Sequence, residues 1–153
     1  MERMSEQQSQ VKKHCFFWRS GPFSQWFPSV YTFDGVEYTC AEQGMMHGKA
    51  LLFKDESTAE RILKAKSPHE IKSLGRRVRY FKEKVWKNNR WNIVYRDSMA
   101  KFTQNPMLQE ALLTTSGMLV EASPRDRIWG IGLHEKDARK SWNQINGPAT
   151  SWE

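Results

Sequence analysis

Glu42 and Lys49 are the two side chains whose types and spacing point furthest toward catalysis. Seven residues apart, they share one face of a helix, roughly 10 Å from each other along its axis. Met45 and Met46 lie between them. If these apolar neighbours face a core, the carboxyl and the amine are drawn partly inward, and burial moves both toward their neutral forms. Those are the states that a general acid and an amine nucleophile need. Both residues also have a structural reading, Glu42 as the third helical position of a capping box and Lys49 as a snorkelling lysine.

The remaining chemistry-bearing residues are more scattered. His14, His47, His69 and His134 show no HxxxH or HxxE spacing, so neither a metal nor a cofactor is expected. Gly130-Ile131-Gly132 lacks the rest of a glycine-rich phosphate loop. Trp129, between Ile128 and those glycines, offers a flat face to a base or a large apolar body to the core.

The elements that position these residues follow from local signals. Residues 1 to 14 read as a polar, flexible tail and 15 to 153 as one folded domain. Cys15 to Tyr38 is broken by Gly21-Pro22, Pro28 and Asp34-Gly35 and reads as short strands and turns, with a hairpin over Tyr31 to Tyr38. Thr39-Cys40-Ala41-Glu42 predicts a helix over 39–53. Ser57-Thr58-Ala59-Glu60 and Ser67-Pro68 open two shorter helices. A longer helix is expected from about Tyr80 to Phe102, and another from Asn105-Pro106 to near Gly117. Met118 to Glu121 and Ile128 to Leu133 suit strands, and the final twenty residues look irregular. The expected fold class is α+β, helix-rich, with short strands near both ends of the chain.

Composition narrows the function classes. The 39% hydrophobic and 12% aromatic content of 153 residues predicts one ordinary core. The expectation is a soluble intracellular protein of the cytoplasm or nucleus, because no apolar run spans a bilayer and the polar start is no secretion signal. Cys15 and Cys40 lack CxxC spacing and read as reduced thiols. Between Arg61 and Lys101 the chain carries thirteen Lys or Arg against three acids, Glu70, Glu83 and Asp97. Positive charge of that density attracts phosphates of a nucleotide or a nucleic acid, and it also suits a solvated helix face.

Four blocks of sequence resemble the NADAR family, which includes the YbiA-like proteins. They are Phe17-Trp18 with Gly21-Pro22-Phe23-Ser24-Gln25-Trp26; Asp34-Gly35-Val36-Glu37-Tyr38-Thr39-Cys40-Ala41-Glu42-Gln43; Met45-Met46-His47-Gly48-Lys49-Ala50; and Asp126-Arg127-Ile128-Trp129-Gly130-Ile131-Gly132-Leu133. Gly75-Arg76, Lys101-Phe102 and Leu119 to Ser123 follow in the family's order, and the match spans about residues 15 to 135.

The resemblance implies hydrolysis of a bond from a ribose anomeric carbon to an exocyclic nitrogen of a heterocycle. Such an aminal can open to an imine that a lysine attacks, or it can cleave directly with a carboxyl group moving protons. It makes Glu42 and Lys49 the catalytic candidates and Trp129 a wall for the base. Ser24, Arg76 and Lys101 become candidates for phosphate or ribose contacts, Asp126 for a second carboxylate, and Gly130 for part of the binding loop. Three departures from the family pattern stand out. Gly44 replaces an aromatic, which predicts a missing wall or a wider pocket, Ile131 stands where some members have an aspartate, and the family's Gly-x-Asn-x-Leu-Gly stretch and closing helix have no counterpart.

Three readings result. The first is a glycohydrolase that removes ADP-ribose from guanine bases in DNA, favoured by the basic 61–101 segment. The second is an N-glycosidase of phosphoribosylamino (ribosylamine) riboflavin intermediates. The third is a module that binds ADP-ribose or a nucleotide without turnover. ADP-ribosylated DNA is thus the expected partner and a membrane is not. Turnover separates the third reading from the others, and salt-dependent DNA binding separates the first from the second.

Overall fold

A computed structural model describes residues 14–142. The tail expected over 1–14 therefore lies outside the described residues except at His14, which already belongs to a strand. By its internal contacts the chain divides into two compact units, Arg19–Thr114 and a second made of the segments before and after it.

In the unit Arg19–Thr114, strands β2 (Tyr31–Phe33) and β3 (Val36–Tyr38) form an antiparallel hairpin. Asp34 and Gly35 take φ of 51° and 75° at its tip, the pair of positive angles that a two-residue turn needs. Five helices follow, α1 (Ala41–Leu52), α2 (Glu56–Lys64), α3 (Pro68–Gly75), α4 (Glu83–Gln104) and α5 (Pro106–Thr114).

Helix α1 is central and packs against α2, α3 and α4, with every residue from Ala41 to Gly48 buried. Its glycines explain how neighbours come so close. A Cβ at Gly44 would overlap the Tyr31 hydroxyl and the Asp97 carboxylate, and one at Gly48 would sit 2.6 Å from Arg96 Nη2. Gly75 of α3 allows the same intimacy with Met46. Gln43 fastens α2 by donating from Nε2 to the Ile62 carbonyl, 3.1 Å away.

The caps of two helices differ from expectation by one or two residues. Cys40, in extended conformation, is the N-cap of α1, so Glu42 is not the capping-box acid. Gln43 does that work instead, its Oε1 accepting from the backbone N–H and hydroxyl of Thr39. Helix α2 is capped by Asp55 rather than Ser57. The buried Asp55 carboxylate accepts from Thr58 N and from the backbone and guanidinium of Arg79, which holds it well below the usual carboxylate range. Ser67 caps α3 as expected, with Pro68 in the first turn and Glu70 reaching back to Lys66 N.

The other unit holds β1 (His14–Phe17) and β4 (Met118–Glu121), paired in parallel from His14 opposite Met118 to Phe17 opposite Glu121. The strand expected over Ile128 to Leu133 does not form. Asp126 Oδ1 accepts from Ile128 N and Trp129 N at 2.7 and 3.0 Å and winds the segment into turns. Positive φ at Gly132 and a hydrogen bond from its N–H to the Asp126 carbonyl complete them. Helix α6 (Glu135–Trp142) replaces the irregular ending expected there, while Gly147-Pro148 lies outside the described residues. Ala138 is fully buried in this unit, and Arg139 lies over the Phe16 ring.

The fold is thus α+β and helix-rich, with short strands on both sides of the helical segment. Cys15 and Cys40 are free thiols. No helix among the described residues is long and apolar enough to cross a membrane.

Candidate functional site

Helix α1 presents Glu42 and Lys49 on one face, opposite the glycines that receive α4. Glu42 is 5% exposed, and its backbone N–H donates to the Gln25 carbonyl at 2.9 Å. The helix start is thereby pinned to the 21–27 turn. Gln25 contributes a second feature, since its Oε1 is buried with no hydrogen-bond partner among the described residues.

Lys49 is half-buried. Its Nζ donates to the Gly75 carbonyl at 2.8 Å and lies 4.7 Å from the Phe81 ring centroid and 5.4 Å from that of Trp86. Burial, seconded by the charge of Arg76, pushes the amine below its ordinary value. The aromatic walls explain the first effect, because they exclude water without offering the anion that would hold the proton. Phe81 is braced in turn against Phe53, 5.2 Å between centroids.

Lys101 sits in the interior of the same unit, 1% exposed, donating to the Ser24 carbonyl at 2.9 Å. Burial pushes its ammonium down to about 8. Ser24 is buried too, and its hydroxyl accepts from Trp26 N to shape the turn. Arg76, at the end of α3, is exposed and close enough to Lys49 to act on its charge.

Behind α1, on the α4 side, lies a buried polar cluster that sequence reasoning missed. Tyr31 donates to Asp97 Oδ1 at 2.9 Å, and the Tyr38 hydroxyl pairs with His47 Nδ1 at 2.8 Å. Asp97 Oδ2 has Arg96 Nε at 3.6 Å as its nearest cation. Burial raises Asp97 and Tyr31 and lowers His47. The spacing Gly44-x-x-x-Gly48 was the available signal for it, because small residues four apart admit a neighbouring helix. The wider pocket expected at Gly44 is absent, since Tyr31 and Asp97 fill that space.

Glu42, Lys49, Ser24, Arg76 and Lys101 therefore belong to the helical unit, and Trp129, Asp126 and Gly130 to the other. Trp129 is half-buried, held through its N–H by Asp126, whose Oδ1 serves the turn. Gly130 is required by packing, for a Cβ there would lie 2.9 Å from Ser123 Cβ and 3.0 Å from the Asp126 carbonyl. Among the described residues no group of three or more His, Cys, Asp or Glu is placed to hold a metal.

Comparison with known proteins adds to this geometry. Residues 16–148 match the model of the NADAR domain. An N-glycosidase of Acanthamoeba polyphaga mimivirus is 43% identical over 136 residues, 85% of this chain and 76% of that protein. Protein irg-1 of Caenorhabditis elegans is 39% identical over 145 residues, 81% of this chain and 68% of that one. A chloroplastic riboflavin biosynthesis protein PYRR of Zea mays is 42% identical over 78 residues, 48% of this chain and 12% of that protein. The solution structure of YbiA from Escherichia coli superposes with a TM-score of 0.69 at 22% identity, covering 91% of both chains.

Proposed function

The chain belongs to the NADAR family, and from that membership we propose that it is a hydrolase of N-glycosidic bonds that removes ADP-ribose from guanine bases in DNA. The observation that carries the reading is Lys49, an amine lowered by burial between Phe81 and Trp86 on the same helix face as buried Glu42. The N-glycosidase name of the mimivirus relative supports the bond class. The DNA substrate is supported by the basic excess between Arg61 and Lys101.

In this mechanism the ribose ring oxygen leaves C1 as the aminal opens, taking a proton, and an imine forms between C1 and the guanine nitrogen. The neutral Lys49 amine adds to C1. Glu42 donates a proton to the guanine nitrogen, which departs as the free amine and leaves a Schiff base between Lys49 and the open sugar. Water, deprotonated by Glu42, adds to C1, and loss of the lysine amine returns the aldehyde, which closes to ADP-ribose. The Gly75 carbonyl orients the amine by accepting one of its N–H groups, leaving the lone pair free to attack.

The PYRR relative favours a second reading, cleavage of a phosphoribosylamino intermediate of riboflavin synthesis. The bond is the same and only the recognition differs. The test is to incubate the protein with an oligonucleotide carrying ADP-ribosylated guanine and, separately, with a phosphoribosylamino pyrimidine. Release of free ADP-ribose with restored guanine is the expected result. An intact oligonucleotide with the pyrimidine consumed would overturn the DNA reading in favour of the second.

A further inference from the structure

A groove runs between the second half of α1 and the middle of α4, on the side of α1 where Gly48 admits Arg96 and not on the face of Glu42 and Lys49. Its volume of about 380 Å³ is that of a small-ligand pocket. Leu51, Leu52 and Ile93 supply apolar walls, and Asn89, Asn92 and Arg96 supply the polar groups. Arg96 is the one cation among these lining residues. Its guanidinium lies 4.5 Å from the Phe33 ring centroid, and the absence of a Cβ at Gly48 makes room for its Nη2. Its Nε faces Asp97 Oδ2 at 3.6 Å, too long for a hydrogen bond, and both atoms are buried without a hydrogen-bond partner among the described residues. Asp97 is engaged by Tyr31 and raised by burial, which weakens its hold on the guanidinium charge. A guanidinium so placed still has donors to give.

We propose that this groove is a binding site for one nucleoside monophosphate, with the phosphate at Arg96, the ribose at Asn92 and the base at Asn89. A single cation suits a single phosphate, which a guanidinium grips through two N–H groups at once. Asn89 and Arg96 are seven residues apart on α4, roughly 10 Å along its axis, which is the reach of such a molecule from base to phosphate. Asn89 Nδ2 is committed to the Val85 carbonyl at 2.8 Å, so its amide oxygen is left to accept from the exocyclic amine of a base. Asn92 is exposed and offers both a donor and an acceptor to the ribose hydroxyls. The leucines of α1 and Ile93 of α4 pack against the apolar faces of base and sugar. A longer nucleic acid finds no second cation among the lining residues for its next phosphate. The site goes beyond the hydrolase reading and does not depend on it.

Titrating AMP into the isotope-labelled protein and following its N–H signals by NMR tests the site. The expected result is a saturable shift of the Asn89 and Asn92 side-chain amides, the Arg96 Nε–H and the Gly48 backbone amide. Inorganic phosphate alone and adenosine alone should each bind about tenfold more weakly than AMP, since each makes only part of the contacts. Arg96→Gln should weaken AMP by about tenfold. Leu51→Glu, at an exposed position, sets an anion against the phosphate and should weaken AMP by a similar factor, which keeps the test available if Arg96→Gln does not fold. Lys49→Ala should leave the titration unchanged. The proposal is overturned if these four groups do not shift at millimolar AMP, or if the shifts are confined to the surroundings of Glu42 and Lys49. It is equally overturned if inorganic phosphate binds as tightly as AMP, or if neither Arg96→Gln nor Leu51→Glu weakens binding. AMP seated in the groove of a protein that cleaves no glycosidic bond would leave this site standing and remove the hydrolase reading alone.

Discussion

Lys49 Nζ and the Gly75 carbonyl oxygen lie 2.8 Å apart, which joins the amine of α1 to the last residue of α3. The contact leaves the nitrogen facing Phe81 and Trp86, and Arg76 follows Gly75 directly. The arrangement couples the amine's basicity to a residue outside its own helix.

Replacing Arg76 with Gln tests that coupling. The guanidinium lowers the Lys49 pKa, so its removal raises it. If the neutral amine is the nucleophile, kcat rises with pH as Lys49 deprotonates, and Arg76→Gln moves that rise to higher pH. A pH–rate profile with unchanged position would separate Arg76 from the amine.

Glu42→Gln keeps the shape of the buried side chain and removes its ability to exchange a proton. Turnover should fall by about a hundredfold or more, with circular dichroism unchanged. The Gln43 side chain bonded to Thr39 and the Glu42 backbone N–H bonded to Gln25 both remain in place in this variant and hold the start of α1. Near-native turnover in a folded variant would remove Glu42 from the mechanism.

Lys101 makes stability depend on alkaline pH. Its folded value of about 8 lies below that of an unfolded lysine, about 10.4. Between those two values the unfolded chain binds more protons, so stability increases as pH rises through the window. The gain across the whole window is on the order of 3 kcal/mol, from about 1.36 kcal/mol for each pH unit that separates the two values. Tyr38, pushed up to about 12, acts with the opposite sign above pH 10. Urea unfolding of Lys101→Met between pH 7.5 and about 10 should show a flatter dependence than the native protein.

Gly44→Ala would ordinarily stabilise a helix interior by about 1 kcal/mol. Here the added methyl meets the Tyr31 hydroxyl and the Asp97 carboxylate, and a loss of about 1–3 kcal/mol is expected instead. Adding Tyr31→Phe should recover part of that loss, a non-additivity that a double-mutant cycle reads directly.

Much of this architecture is legible in the sequence where a local signal dominates. Asp34-Gly35 specifies its turn, Ser67-Pro68 its helix start, and the Met45, Met46 and Phe53 spacing the course of α1. Signals that depend on distant partners are not legible. Nothing near Asp97 or Lys101 says that they are buried, because their environment comes from Tyr31 and Ser24, 66 and 77 residues away in the chain. Helix α6 escapes notice because its strongly charged sequence offers Ala138 as its one fully buried position among the described residues. Ile128 to Leu133 misleads in the opposite direction, as an apolar run whose backbone is claimed by the Asp126 carboxylate. For the candidate site, Glu42 and Lys49 could be placed on one face by spacing, whereas Phe81 and Trp86 reach Lys49 only through the packing of α1, α3 and α4.

In the proposed reaction the Lys49 amine forms a covalent Schiff base with the substrate sugar. Its most direct measurement is the intact mass of the protein after brief reaction with an ADP-ribosylated guanine oligonucleotide in the presence of borohydride. The expected result is an added mass of one reduced ADP-ribosyl group, located on the peptide containing Lys49 and absent from Lys49→Ala. Release of ADP-ribose at the native rate by Lys49→Ala, with no adduct in either protein, would contradict it and leave the chemistry to Glu42 and water.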